Sequence, residues 1–157
     1  MRADLNVKYQ EVRRILRANA PVCIAFSGGV DSSLLLKIAS DELGAGVIGI
    51  YCDSVLQPSR ERRSASEIAG LIGLDLHVLE GIDLTHEAFR LHPENRCYLC
   101  KGLIFDRIIA EARKLGCNAV CDGSNADDIH DHRPGRRALL ERKVISPLQD
   151  AGLSKEE

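Results

Sequence analysis

No Gly-x-x-x-x-Gly-Lys followed by Ser or Thr occurs anywhere in the 157 residues, which excludes the phosphate loop that grips a terminal phosphate with a lysine. No apolar run approaches membrane-spanning length, and Met1-Arg2-Ala3-Asp4-Leu5 lacks the charged and apolar regions of a secretory signal, so a cytoplasmic, non-membrane protein is expected. Charge of one sign is missing too. A net charge of −2 and a pI near 6.2 give no global electrostatic reason to expect nucleic acid. Two local basic clusters, Arg60, Arg62 and Arg63, then Arg133, Arg136 and Arg137, read as solvated surface. There are no repeats, low-complexity tracts or linker-like breaks, and 45% hydrophobic with 28% charged content is ordinary for one globular domain. That domain is expected over residues 1–150, with 151–157 as the start of a further region or a frayed tail.

Six cysteines without a secretion signal argue against a disulfide framework. Cys23, Cys52 and Cys121 sit in apolar, strand-like runs and read as buried core thiols, while Cys117 after Gly116 is uninformative. Cys97-Tyr98-Leu99-Cys100 differs: two thiols three apart at a helix start can grip one metal or cluster, or react through a dipole-lowered pKa. One such pair supplies two ligands rather than four.

What is present is Ser27-Gly28-Gly29-Val30-Asp31-Ser32-Ser33, between the apolar run Val22 to Phe26 and the helical pattern Leu34 to Ala39. A strand, a glycine turn and a helix start point successive N–H groups into one concavity, where the helix dipole adds to the attraction for an anion. Ala25 and Phe26 lead into this loop, and the serine hydroxyls add donors. Asp31 stands where a lysine is absent. The pattern resembles the signature of the PP-loop ATP pyrophosphatases, which split ATP between its α- and β-phosphates and transfer AMP. Gly44-Ala45-Gly46-Val47-Ile48-Gly49 formally matches a dinucleotide fingerprint, but a helix precedes it and a strand follows, the reverse of what that fingerprint needs.

Periodicity predicts helices over Asp4–Asn19, from the phosphate loop to Gly44, from Pro58 to Ile72, and a long one carrying Phe105, Ile108, Ile109, Ala112 and Leu115. Strands are predicted over Val22–Phe26, Val47–Cys52, Asp75–Leu79 and Asn118–Cys121, with a fifth at Val144 and Ile145. This alternation implies an α/β, Rossmann-like parallel sheet of five strands with helices on both faces and ligands at the carboxyl ends. Asp53 and Ser54 after the second strand are expected near the nucleoside, and Gly123 after the fourth at the nucleotide. The polar stretch from Asp122 to Gly135 is expected to wall the site. Asp31, Asp127 and Asp128, with Asp131, are candidates for Mg²⁺, and Arg133 for a phosphate or carboxylate. His130 and His132 read as solvent-facing, and a loop containing His86, His92 and Pro93 precedes the long helix.

Asn95-Arg96-Cys97-Tyr98-Leu99-Cys100-Lys101, Asp122-Gly123-Ser124-Asn125-Ala126-Asp127-Asp128, Arg133-Pro134-Gly135 and Ser146-Pro147-Leu148 occur in this order. Together with the phosphate loop they resemble the LarE family, ATP-dependent sacrificial sulfur transferases that help make the nickel-pincer cofactor of lactate racemase. The resemblance implies that ATP adenylates a carboxylate of pyridinium biscarboxylic acid mononucleotide, with Asp31, Asp127 and Arg133 at the reacting end. A protein cysteine then captures the acyl group, surrenders its sulfur and is left as dehydroalanine. In the family that cysteine lies in the carboxyl-terminal half, beyond Glu157. Ser154-Lys155-Glu156-Glu157 reads as a capping box without a helix body, as a truncated chain would end. A homo-oligomer or a partner chain is expected. The alternatives are a tRNA thiolation enzyme, in which Cys97 and Cys100 would help hold an iron–sulfur cluster, an ammonia-using synthetase, and a non-catalytic ATP-binding module.

Overall fold

The computed structural model describes residues 2–54, 59–82, 93–130 and 134–157. Helix α1 (Arg2–Asn19) leads to β1 (Val22–Ala25), α2 (Val30–Leu43), β2 (Val47–Ser54), α3 (Ser59–Ile72) and β3 (Leu76–Ile82). Then come α4 (Arg96–Lys114), β4 (Ala119–Cys121), α5 (Pro134–Glu141) and the single turn α6 (Pro147–Asp150). Gly44–Gly46 form a short 3-10 turn that closes α2 and opens β2, so the apparent dinucleotide fingerprint lies in the reversed order. Among the described residues no helix is long and apolar enough to cross a membrane.

All strand pairs are parallel, in the order β3-β2-β1-β4. Successive side chains on a strand point to opposite faces. Val22 and Ile24 accordingly join Val12, Leu16, Leu35, Leu36 and Ala65 in a core under α1, α2 and α3. Cys23 and Ile50 join Phe105, Ile108, Ala112 and Leu139 in a second core under α4 and α5. The apolar residues of both faces explain why the strands read as continuous hydrophobic runs rather than alternating ones.

Among the described residues the sheet has four strands, not five. Ile145 makes the two ladder bonds expected of a strand, donating to Val120 O (3.0 Å) and accepting from Asp122 N–H (2.9 Å), but the pairing with Cys121 is an isolated bridge. Lys143 turns the chain with φ +56° just before, and Pro147 starts α6 just after, leaving no length for a strand. Residues 151–157 pack onto the domain. Leu153 is buried in the first core and accepts Ala126 N–H at 2.7 Å, while Glu157 reaches back to the Ser154 N–H and to Lys8 of α1. Glu157 thus makes the backward bond of a capping box at the predicted spacing.

The chain steps from β1 outward to β2 and β3, then returns to the other side of β1 as β4. The loops after β1 and β4 leave in opposite directions, which opens a crevice at their carboxyl ends.

Candidate nucleotide site

The loop after β1 organises itself from within. Phe26 N–H still donates to Ile50 O at 2.9 Å, holding the loop's entry to β2. Gly28 has φ +81°, the left-handed region that disfavours side chains, and a Cβ there would meet the Ala65 Cβ of α3 at 3.3 Å. The hydroxyls of Ser27 and Ser32 lie 3.0 Å apart, Gly29 N–H donates to Ser27 Oγ, and Ser32 and Ser33 hydroxyls donate to Gly29 O. The serines therefore shape the loop. Gly29 is the N-cap of α2 and offers no side-chain cap, so the helix's first N–H groups remain available to an anion.

The loop after β4 closes on the same helix start. A Cβ on Gly123 would stand 2.8 Å from Ser32 N and 2.9 Å from Ser32 Cα, so only glycine permits this approach of two backbones. Asp122, 7% exposed, accepts hydroxyl bonds from Ser124 (2.5 Å) and Ser146 (2.6 Å). Asn125, 2% exposed, joins the two loops: its Nδ2 donates to Asp31 Oδ2 at 2.9 Å, its Oδ1 accepts Asp127 N–H, and its own N–H donates to Asp128 Oδ2 at 2.9 Å. Asn125 and Asp122 are structural keys to which sequence reasoning assigned no individual role beyond membership of the expected site wall. The Asn-x-x-Asp spacing of a capping box was the available signal for Asn125, and the 3-10 turn Ala126–Ile129 uses it.

The crevice is a cavity of about 510 Å³. Ser27, Gly29, Val30, Asp31, Ser32, Asp122, Gly123, Ser124 and Asp128 line it from the loops after β1 and β4 and the start of α2, and Ala25, Phe26, Ile50, Tyr51, Cys52, Ile104, Phe105 and Ile108 supply apolar wall. Cys100 and Lys101 reach the wall from the start of α4. Lys101 thus brings to the cavity wall a cation that the phosphate loop lacks, from a helix seventy residues away. Its stem lies against Gly135, where a Cβ would meet Lys101 Cδ at 2.7 Å, and among the described residues its ammonium makes no ion pair.

Several expected site residues are placed elsewhere. Asp53 does not line the cavity; its carboxylate accepts from Arg62 (3.0 Å), which also binds Glu80 (2.7 Å). Only the backbone of Ser54 is described, at the end of β2. Gly28 and Ser33 support the loop from behind the cavity. Asp127 points away: its carboxylate accepts Lys155 N–H at 2.9 Å. Arg133, with Asp131 and His132, lies outside the described residues, as do His86 and His92. Cys97 is exposed and Cys100 half-buried, and among the described residues no group of three His, Cys, Asp or Glu side chains is poised to hold a metal ion. Burial pushes the Cys52 thiol up to about 11, and burial foremost also raises Cys100.

The model of the family described as Asparagine synthase matches residues 9–118. The chain belongs to that family. Its fold is the α/β PP-loop fold. In sequence it is 37% identical over 151 residues to an uncharacterized protein of Synechocystis sp., covering 96% of this chain and 56% of that one. It is 32% identical over 154 residues to the pyridinium-3,5-bisthiocarboxylic acid mononucleotide synthase of Lactiplantibacillus plantarum, covering 98% of this chain and 56% of that one. The chain thus spans about half the length of these curated relatives. In structure it is similar to a glutamine-dependent NAD+ synthetase of Acinetobacter baumannii solved with ADP (TM-score 0.66, 18% identity, 95% of this chain and 30% of that one). An NMN synthetase of Francisella tularensis is also similar (TM-score 0.60, 18% identity, 77% and 55%). These structures share the fold.

Proposed function

We propose that this chain is the ATP-binding domain of a LarE-like sulfur transferase, which adenylates a carboxylate and releases pyrophosphate before a cysteine gives up its sulfur. The observation that carries the reading is that an uncapped helix start, Asp31 and Asp128, joined through Asn125, share one cavity with an apolar wall. ATP combines the same two characters. Its polyphosphate fits the N–H groups of α2, and its adenine the wall of Ile50, Tyr51, Ile104, Phe105 and Ile108. The relative at 32% identity, together with the ordered motifs, favours a carboxylate-bearing nucleotide as the second substrate.

A carboxylate is a poor electrophile until AMP makes it a mixed anhydride, and that exchange concentrates negative charge on the departing pyrophosphate. Helix N–H groups oriented before the reaction stabilise this charge without reorganising. Lys101 adds a positive charge from the opposite wall. Asp31 and Asp128 fit Mg²⁺, a hard cation that takes one or two carboxylates plus phosphate oxygens, because both face the cavity and Asn125 occupies only one oxygen of each. When bound, Mg²⁺ would neutralise charge on the polyphosphate. Asp127 acts by anchoring the loop rather than touching ligand, its carboxylate accepting the Lys155 N–H, and Arg133 is a candidate partner for a phosphate or carboxylate by its chemistry. Cys97 and Cys100 do not fit an iron–sulfur cluster by themselves, since no third ligand joins them among the described residues, and no step is assigned to one. The sulfur-giving cysteine belongs to a further region or a partner chain, and the protein works in the cytoplasm.

The test is calorimetric titration with a non-hydrolysable ATP analogue and Mg²⁺, for the wild type, Asp31→Ala and Gly28→Val. One-to-one binding lost in both variants is expected. A folded wild type that binds no analogue overturns the reading.

A further inference from the structure

The Cys-x-x-Cys pair at the start of α4 has no role in nucleotide binding, and it joins an exposed thiol to a half-buried one whose pKa burial raises as it does those of the other sheltered thiols. Cys23 and Cys121 are buried, Cys52 and Cys117 half-buried, and burial raises the pKa of all four. Cys97 is exposed, the most accessible of the six to an attacking reagent. Cys100 stands one helical turn further on, half-buried, and forms part of the cavity wall beside Lys101. An exposed thiol backed by a sheltered one on the same helix face is the arrangement of a dithiol that exchanges with disulfides, the first sulfur being attackable and the second close enough to resolve it.

We infer that Cys97 and Cys100 form a thiol–disulfide exchange site on the wall of the nucleotide cavity, taking disulfides of low-molecular-weight thiols as its oxidant. The Cys97 thiolate attacks one sulfur of the small disulfide RSSR, forming a mixed disulfide and expelling one RS⁻, which takes up the proton Cys97 lost. The Cys100 thiolate then attacks the Cys97 sulfur and expels the second RS⁻, protonated in turn at the cost of the Cys100 proton. The protein dithiol is oxidised by two electrons, and RSSR is reduced to two RSH.

The bond has a mechanical consequence for the cavity. Residues three apart on a helix have Cβ atoms roughly 5–6 Å apart, whereas a disulfide holds its Cβ atoms at roughly 3.5–4.5 Å. Closing the bond must therefore tighten the first turn of α4 and shift Cys100 and the adjoining Lys101. The dithiol chemistry stands alone; its effect on ATP rests on the function proposed above.

The experiment incubates the purified full chain with oxidised glutathione, follows intact mass and peptide maps, and titrates oxidised and reduced protein with the ATP analogue. Loss of the mass of two hydrogens, mapped to a Cys97–Cys100 bond, reversed by dithiothreitol and absent from Cys97→Ser and Cys100→Ser, is expected. Weakening of analogue binding by about ten-fold in the oxidised wild type, with Cys97→Ser indifferent to the oxidant, is the second expectation. A stable glutathione adduct on Cys97 without resolution, or a disulfide at other cysteines, overturns the exchange site. An intact Cys97–Cys100 bond with unchanged affinity overturns its link to the cavity. A reduced chain that binds no analogue counts against the proposed function, while the mass data still decide the dithiol.

Discussion

Carboxylates stand both at the β1–β4 junction and near the carboxyl ends of β2 and β3, yet among the described residues only those at the junction line the cavity. At the junction the chain reverses its direction of travel across the sheet, and the two loops separate while Asn125 ties their inner ends together. At the β2–β3 edge, Arg62 of α3 binds Asp53 of β2 and Glu80 of β3, so these carboxylates near the strand ends are consumed by one guanidinium. A carboxylate at the carboxyl end of a parallel strand is therefore available to a ligand only where topology has parted the neighbouring loops.

Breaking the junction should have the largest effect. Gly123→Ala sets a methyl against backbone atoms of Ser32 that cannot swing aside, so a destabilisation of about 1–3 kcal/mol in urea melts is expected, together with loss of ATP-analogue binding. Asp31→Ala, which removes a carboxylate facing the cavity and leaves the buried Asn125 amide without its acceptor, should cost about 1–3 kcal/mol in the same melts. It should also abolish the Mg²⁺ dependence of binding, which calorimetry with and without chelator reads directly.

The α4–α5 wall sharpens the contrast from the other side. Lys101→Met should weaken analogue binding by about ten-fold, read by calorimetry, with little change in melting. Gly135→Ala should do the same by displacing the lysine stem, and the two effects should not add in the double variant. At the edge the expectation reverses. Arg62→Ala breaks partly exposed ion pairs and should change stability by about 0–1 kcal/mol in melts while leaving analogue affinity unchanged.

The smallest effect concerns Glu157, whose carboxyl the Lys8 ammonium and the Ser154 N–H hold down to about 2 from an ordinary 4.5. A depressed carboxyl contributes its stability above its unfolded pKa and loses it as pH falls through the folded value. Melting temperatures of the wild type and Lys8→Met should therefore differ slightly at neutral pH and converge between about pH 4.5 and 2.

Local pattern was enough to read α1, β1, the phosphate loop and α2, because each is built from contiguous residues whose apolar spacing and glycine turn leave few alternatives. It also placed β2, β3 and β4 to within three residues, since strands covered on both faces are apolar throughout. It overread Val144 and Ile145, where one apolar pair satisfied the pattern but the positive φ of Lys143 and the approaching Pro147 left room for a single bridge. Asp127 and Asp128 show the limit most sharply. They are adjacent and chemically identical, and nothing in their order tells which faces the cavity and which accepts the Lys155 N–H.

The amino-acid sequence by itself determined the alternating α/β architecture, the anion-binding turn and the family, because those depend on periodicity and on residues close together in the chain. Only the tertiary structure decided that Asn125 joins the two loops, that Lys101 reaches the cavity wall, and that Asp53 is spent on Arg62. Each of those choices depends on which side chains meet across distant segments, and packing, not local propensity, sets that.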